Sequence, residues 1–411
     1  MEGLSPLNPR VAGIDVHRLL HVVTVIIENE DGTITKHQNS FGGFKRDMKA
    51  MVFWLLELQV GLVVMESTGI YWKSAYSHIE RAGILAMVVN AHFIKHVPGR
   101  KTDMCDSEWL AVLARFGLVR GSFIPPKDLR ELRLISRYRR KLSGMLASET
   151  NRLHKILDDG GIKLGAVVSD IKGVSARAMV AGLIAGQPIA DLLNMARGSL
   201  KNKSEDLALS LDGELSPRHL FILSEIHEHI EMLEKKLAKI DATLIDAMKP
   251  YQWAFELLQT IPGIDAIASA MILIEIGDDM SQFGDADRLA SWAGLCPGNN
   301  ESAGKRKSGK TRKGNAIIRY ILCECANAAR TTKSALAAKY RNLKIRKSHK
   351  KCIVAIAHKM IRLIYLMLSR RQPYCDPGVD YEAMSAKKNA PRWIKALKKI
   401  GKLPTAKPAL A

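Results

Sequence analysis

Apolar and polar positions change period several times along this chain. Residues 11–15, 21–27 and 33–39 are short runs rich in Val, Ile and Thr, and they read as three strands. Glu30-Asp31-Gly32 supplies the turn between the second and third. Residues 44–58 carry helical apolar spacing, 62–66 form another β-rich run, 71–82 a helix, and 84–90 a further buried strand.

Three strands, then helix, strand, helix, strand is the order of the ribonuclease H/RuvC-like fold. In that fold an acid on the first strand and another on the fourth lie side by side. Here Asp15 ends the first run and Glu66 the fourth. An acid that closes a buried strand is costly unless it is paired or metal-bound.

Farther on the period becomes helical. Residues 129–157 carry a loose apolar stripe: Leu132, Ile135, Leu142, Leu146 and Leu153. Ser216 reads as an N-cap with Pro217 at the first helical position. Leu223, Ile226, Ile230, Leu233, Leu237, Ile240 and Leu244 then follow 3-4 spacing until Lys249-Pro250. This heptad seam pairs either with the 129–157 helix or with another protomer. Residues 162–215 between them read as short helices. The pattern Ile261-Pro-Gly-Ile264, followed by an apolar helix to Gly277, suggests a helix-hairpin-helix-like turn, which can offer backbone N–H groups to phosphates. An ordinary helical hairpin is the alternative. Residues 304–315 read as irregular, 316–330 and 352–370 as amphipathic helices, and the segment after Gln372 as a partly disordered basic tail.

Charge placement adds a partner. The net charge is +21. Residues 301–411 hold 28 Lys and Arg against 5 Asp and Glu, so the whole excess lies in the last quarter. Such a field attracts polyanions, foremost nucleic acid. The six cysteines have no C-x-x-C spacing and read as reduced residues of a cytosolic protein. No apolar run reaches the roughly 18 residues of a membrane span, and no signal peptide precedes Val11.

Asp103 and Asp106 open a helix-like segment at i, i+3 spacing. They read either as metal ligands beside Asp15 and Glu66, or as an N-cap and a first-turn acid. Taken together, the four acids favour metal. Hard oxygen donors point to Mg²⁺ (or Mn²⁺), the ion used to cut and rejoin phosphodiesters. Ser302 lies at the edge of a basic segment with Lys305, Arg306, Lys307, Lys310, Arg312 and Lys313, cations suited to gripping phosphates. By composition alone Ser302 is a loop serine, with Ser308 an equal competitor for a nucleophile's role. No histidine is assigned to catalysis.

Four stretches together carry a resemblance. They are Val11-Ala-Gly-Ile-Asp15-Val-His17; Val64-Met-Glu66-Ser-Thr-Gly-Ile-Tyr71-Trp72; Lys101-Thr-Asp103-Met-Cys-Asp106; and Gly294-Leu-Cys-Pro297 … Ser302-Ala-Gly-Lys305 … Lys313-Gly-Asn315. In this order and spacing the chain resembles the DEDD transposases of the insertion-sequence 110 family, from about residue 11 to 370. The resemblance implies an α/β + α fold class. It implies a RuvC-like domain (1–126), a helical coiled-coil linker (127–255), a mostly helical C-terminal transposase domain (256–372) with the hairpin-like motif, and a basic tail (373–411). It also implies that Asp15, Glu66, Asp103 and Asp106 hold metal and that Ser302, not Ser308, is the nucleophile. The implied partners are element and target DNA and a structured guide RNA, in a dimer or tetramer in the bacterial or archaeal cytoplasm. Ala303 departs from the Gly-Gly often found after the serine; being small, it is expected to matter little.

The expected activity is site-specific DNA recombination through a 5′-phosphoserine. Such chemistry conserves phosphodiester energy and so needs no ATP. The rivals are a metal-dependent junction nuclease with water as nucleophile, and a non-enzymatic nucleic-acid binder.

Overall fold

The computed structural model describes residues 6–67, 69–90, 105–298, 300–378 and 381–402. The chain forms two compact units, Met1–Ile124 and Pro125–Ala411.

In the first unit, β1 (Arg10–Val16), β2 (Leu20–Glu28), β3 (Ile34–Gly42), β4 (Leu62–Glu66) and β5 (Leu85–Val89) form one sheet in the order β3-β2-β1-β4-β5. β1 to β3 are antiparallel, and β4 and β5 run parallel to β1's direction. This is the ribonuclease H/RuvC-like arrangement. The two-residue period of the strands sorts the side chains. Ala12, Ile14 and Val16 share a core with Val23, Val25, Val63 and Met65, and with Met48, Met51, Leu55 and Ile79 of α1 (Lys45–Glu57) and α2 (Trp72–Arg81). Val11, Ile26, Leu62 and Val64 point to the opposite face. There they pack against Trp109, Leu110 and Leu113 of α3 (Asp106–Arg115). Each such fully buried aliphatic contributes roughly 1.5–3 kcal/mol.

The second unit begins with the 33-residue α4 (Lys127–Asp159), followed by α5 (Leu164–Val167), α6 (Val174–Ile184), α7 (Ile189–Asn194), α8 (Ser204–Leu211) and α9 (Pro217–Asp246). Ser216 caps α9, its hydroxyl accepting from the His219 amide at 3.3 Å. The heptad seam packs within the chain. The pairs Arg139–Asp241, Glu149–His229 and Asp159–His219 advance along α4 as they retreat along α9, so the two helices are antiparallel. Leu153 and Leu157 meet Leu223, Ile226 and Ile230, and the short helices add Met179, Val180 and Leu207.

The rest of this unit is α10 (Gln252–Gln259), α11 (Ala266–Ile276), α12 (Ala286–Trp292), β6 (Asn300–Ser302), β7 (Lys305–Ser308), α13 (Ala316–Ala329), α14 (Ala335–Lys344), α15 (His349–Arg370) and α16 (Tyr381–Lys399). The hairpin expected at Ile261–Ile264 joins α10 to α11. Its Gly263 (φ +90°) faces the α13 backbone, where a Cβ would sit 2.5 Å from Cys325 O and Ala329 N. Asp265 caps α11, accepting from the Ala268 amide at 2.7 Å. A carboxylate thus caps the start of α11, and the turn packs closely on α13.

Two expectations need correction. Residues 305–308, taken as irregular, form a strand. The tail after Gln372, taken as partly disordered, contains α16. Among the described residues α15 is long and apolar enough to cross a membrane by length and composition. Half of it is nevertheless buried, with Ile356, Met360, Ile361 and Ile364 inside the unit.

Candidate active site

β1 and β4 place two acids together. Ile14 is the partner of Met65 in this parallel pair, so Asp15 and Glu66 are the next residues on neighbouring strands. By strand alternation both belong with Val11, Gly13, Leu62 and Val64, on the face covered by α3. Asp15 is 29% exposed and Glu66 half-buried, so both stand at the open end of that face. The His17 ring donates from Nε2 to Asp15 Oδ2 at 3.1 Å. Sequence reasoning set this histidine aside, and its only signal was its place two residues beyond Asp15.

Asp106 is the first residue of α3 and is exposed. Cys105 before it is extended, so the helix starts at Asp106. Asp103 lies outside the described residues.

The position of α3 has a specific cause. Gly13 on β1 faces Thr24 on β2. A Cβ on Gly13 would lie 2.0 Å from Ser107 O, 2.5 Å from Ala111 N and 2.8 Å from Leu110 Cβ. The helix therefore crosses β1 directly over a missing side chain. Beside it the buried Thr24 hydroxyl bonds the Ser107 hydroxyl at 2.8 Å. Lys36 Nζ reaches Glu108 Oε1 at 3.0 Å, and Gln38 Nε2 donates to Cys105 Sγ at 3.3 Å. The residues on either side of Asp106 are thereby tied to β2 and β3. Burial pushes the Cys105 thiol up, but hydrogen bonds from Ser107, the Glu108 amide and Thr24 outweigh it and leave the thiol below its ordinary pKa.

On the other face of the sheet, His21 of β2 is 3% exposed, and neither ring nitrogen has a hydrogen-bond partner among the described residues. Burial lowers its pKa, nearby His17 lowers it further, and Asp15 offsets part of this.

Hard carboxylate oxygens suit a divalent cation such as Mg²⁺. This ion is commonly held by one or two carboxylates, with waters and substrate phosphates completing its shell. Asp15 and Glu66 supply such a pair. Among the described residues no three His, Cys, Asp or Glu side chains gather closely enough to hold a metal alone.

The second unit carries the serine hairpin. β6 and β7 pair antiparallel, with Ser302 opposite Lys305 and Asn300 opposite Ser308. Ala303 (φ +49°) and Gly304 (φ +74°) form the two-residue turn, both left-handed as a type I′ turn demands. This corrects the expectation that Ala303 matters little. In this left-handed conformation its Cβ crowds the following carbonyl, which costs about 1–2 kcal/mol relative to glycine. The Ser302 hydroxyl and the side chains of Lys305, Arg306 and Lys307 lie outside what is described. Lys310, Arg312 and Lys313 are exposed. The Ser308 hydroxyl accepts the Lys310 amide at 3.2 Å, at the hairpin's base and away from the turn.

The base is anchored. Pro297 bridges Thr311, and Gly298 N donates to Lys310 O at 3.0 Å. Gly294 and Gly314 touch backbone to backbone, since a Cβ on Gly314 would stand 2.3 Å from Gly294 N. Asn315 uses each of its polar groups: N to Trp292 O (2.9 Å), Oδ1 from the Ile317 amide (2.9 Å) and Nδ2 to Glu275 Oε2 (2.8 Å). Glu275 is fully buried in α11 and also meets Arg133 Nε and an Arg137 N–H of α4, each at 3.3 Å. Burial lowers the Arg133 pKa to about 10, with Glu275 opposing the shift. Sequence reasoning missed Glu275, although an acid inside the apolar run 270–276 was a readable signal.

Two family models and several relatives match parts of the chain. A family model described as "Transposase", for the DEDD transposases of IS110, matches residues 12–161. A second, "Transposase IS116/IS110/IS902 family", matches residues 255–341. The chain is 27% identical to the "Insertion element IS900 uncharacterized 42 kDa protein" of Mycobacterium paratuberculosis, over 37% of this chain and 39% of that one. It is 29% identical to the "Insertion element IS110 uncharacterized 43.6 kDa protein" of Streptomyces coelicolor, over 36% and 34%. It is 37% identical to the "Mini-circle putative transposase for IS117" of the same organism, over 18% and 20%. The matches thus span between 20% and 39% of these relatives' own lengths. Among solved structures, Thermus thermophilus RuvC is similar at 15% identity and a TM-score of 0.22, over 28% of this chain and 99% of that one. An α/β sheet domain with a DEDD-type acid pair, followed by a helical region with a glycine-anchored hairpin, defines a transposase-type chain. This protein belongs to the IS110 family of insertion-sequence transposases.

Proposed function

We propose that this chain is the recombinase that mobilises its own insertion sequence, cutting and rejoining DNA through a 5′-phosphoserine. The observation that carries the proposal is the pairing of Asp15 and Glu66 on adjacent parallel strands, under a helix that begins at Asp106. In this reading Asp15, Glu66, Asp103 and Asp106 hold Mg²⁺ (or Mn²⁺). The ion, when bound, supplies charge neutralisation at the scissile phosphate.

The chain's own residues do the rest. Ser302 Oγ attacks phosphorus as its proton departs, the P–O3′ bond breaks, and the leaving 3′ oxygen takes up a proton to become a 3′-OH. After strands exchange, a 3′-OH attacks the phosphoserine and returns the serine hydroxyl. Lys305, Arg306, Lys307, Lys310, Arg312 and Lys313 grip phosphates along the hairpin and offset charge in the transition state. The anchored base at Gly294, Gly314 and Asn315 supports a fixed presentation of the hairpin turn, which such an attack requires. Site choice falls to a structured guide RNA that pairs with element and target DNA. The working form is a homodimer or tetramer in the cytoplasm, at the nucleoid.

Substitution Ser302→Ala with DNA and Mg²⁺ present is the test. The proposal predicts loss of both strand cleavage and the covalent protein–DNA species. Continued nicking by Ser302→Ala would mean that water attacks and that the protein is a junction nuclease.

A further inference from the structure

We infer that α16 is a separate docking arm for the sugar–phosphate backbone of B-form duplex DNA, bound without regard to sequence. The inference rests on the proposal that DNA is the substrate, and it adds a surface distinct from the serine hairpin. Residues 381–402 hold seven Lys and Arg and one acid, Glu382. The helix packs against α14. From Pro391 through Lys402 every residue is exposed. At 3.6 residues per turn, Arg392, Lys395 and Lys399 fall on one row within an arc of about 60°. Trp393, Leu397 and Ile400 fall on the far side. Gly401 (φ +70°) closes the helix: its amide bonds Lys398 O, the Lys402 amide bonds Leu397 O, and Lys402 is left beside the same end. The cations are therefore held in line by a helix with a defined stop.

Charge complementarity selects a polyanion, and shape selects the duplex. An α-helix is about 10–12 Å across, which matches the roughly 12 Å major groove of B-DNA. The deep, narrow major groove of A-form RNA does not admit such a helix. The row carries Lys and Arg alone, a composition for phosphate contacts, which position a protein without reading bases.

The test is binding of the full chain to a duplex of arbitrary sequence across 50 to 200 mM salt. Wild type is compared with R392Q/K395Q/K399Q and with a charge-matched control, K235Q/K236Q/K239Q, on the exposed side of α9. Three released counterions correspond to a slope of log K against log salt that is shallower by about 2.7, so that wild type loses about 40-fold more affinity than the arm variant over that range. The control should keep the wild-type slope, and circular dichroism should show equal helix content in all three. Equal slopes for wild type and arm variant overturn the arm while leaving the recombinase reading intact. No duplex binding by wild type overturns both. A loss confined to structured RNA, or to vesicles of anionic phospholipid, with duplex binding unchanged, also overturns the arm.

Discussion

Replacing Gly13 by alanine places one methyl group where α3 crosses β1. The new Cβ would sit 2.0 Å from the Ser107 carbonyl oxygen and 2.5 Å from the Ala111 amide nitrogen. Both are backbone atoms, and no rotamer relieves them. Restoring an ordinary contact of about 3.4 Å needs a shift of roughly 1.4 Å in the helix or the strand. Overpacking of this kind costs about 1–3 kcal/mol. In the proposed site the shift also changes the position of Asp106 relative to Asp15 and Glu66, and a displacement near 1 Å in a catalytic array costs about 10²-fold in rate. Two measurements are needed. Urea denaturation should show the stability loss, and strand cleavage at a temperature where Gly13→Ala is fully folded should fall about 100-fold. Gly13→Ser should behave alike, because the clash lies at Cβ. Wild-type stability together with wild-type cleavage in Gly13→Ala would refute both the packing argument and the claim that α3 serves the site.

Further predictions concern the rest of the chain. Glu275→Ala removes the carboxylate facing the buried Arg133 guanidinium, which keeps its bonds to the Ile274 and Glu275 carbonyls, and frees Asn315 Nδ2, so it should cost about 3–5 kcal/mol by urea denaturation; a loss below about 1 kcal/mol would contradict the buried network. Arg137 is 44% exposed, so Arg137→Ala should cost no more than about 1 kcal/mol. His21 is held below its ordinary pKa of 6.5, so the folded chain binds fewer protons than the unfolded one. Its contribution is full above that value and is lost as pH falls through it. The denaturation midpoint should drop between about pH 7.5 and 5.5, and His21→Phe should flatten that dependence; an unchanged slope would be evidence against the assignment. Ala303→Gly relieves a left-handed alanine and should slow hydrogen exchange of the β6–β7 amides about five-fold, equivalent to about 1 kcal/mol; faster exchange would argue against the type I′ turn.

The parts legible in the sequence are those fixed by local periodicity. Strands β1, β2, β4 and β5 follow from dense β-branched runs, and the acids Asp15 and Glu66 stood out because each closes one. The α9 seam was legible as a seam; its partner was not, because Arg139 and Asp241 lie a hundred residues apart and no local pattern reports that pairing. Gly13 gave no warning for the same reason: its role depends on a helix that arrives over ninety residues later. Strand β7 was hidden because Lys-Arg-Lys-Ser has no apolar alternation; the hairpin is specified by turn backbone at Ala303-Gly304 and by the anchored base. Helix α16 was read as tail because Pro391 and the dense charge obscure an amphipathic row that emerges only at helical pitch. Ser302 was singled out by resemblance, since nothing in its immediate composition distinguishes it from Ser308.

The central claim is that Ser302 becomes covalently joined to a 5′ phosphate under control of the acids on β1 and β4. Rapid denaturing quench of the protein with its element DNA and Mg²⁺, followed by protease digestion and peptide mass mapping, tests it directly. The account predicts one DNA-linked peptide carrying the modification on Ser302 in wild type, and none in Glu66→Gln or Asp15→Asn. A linkage on another residue, or an undiminished Ser302 adduct in Glu66→Gln, would contradict it.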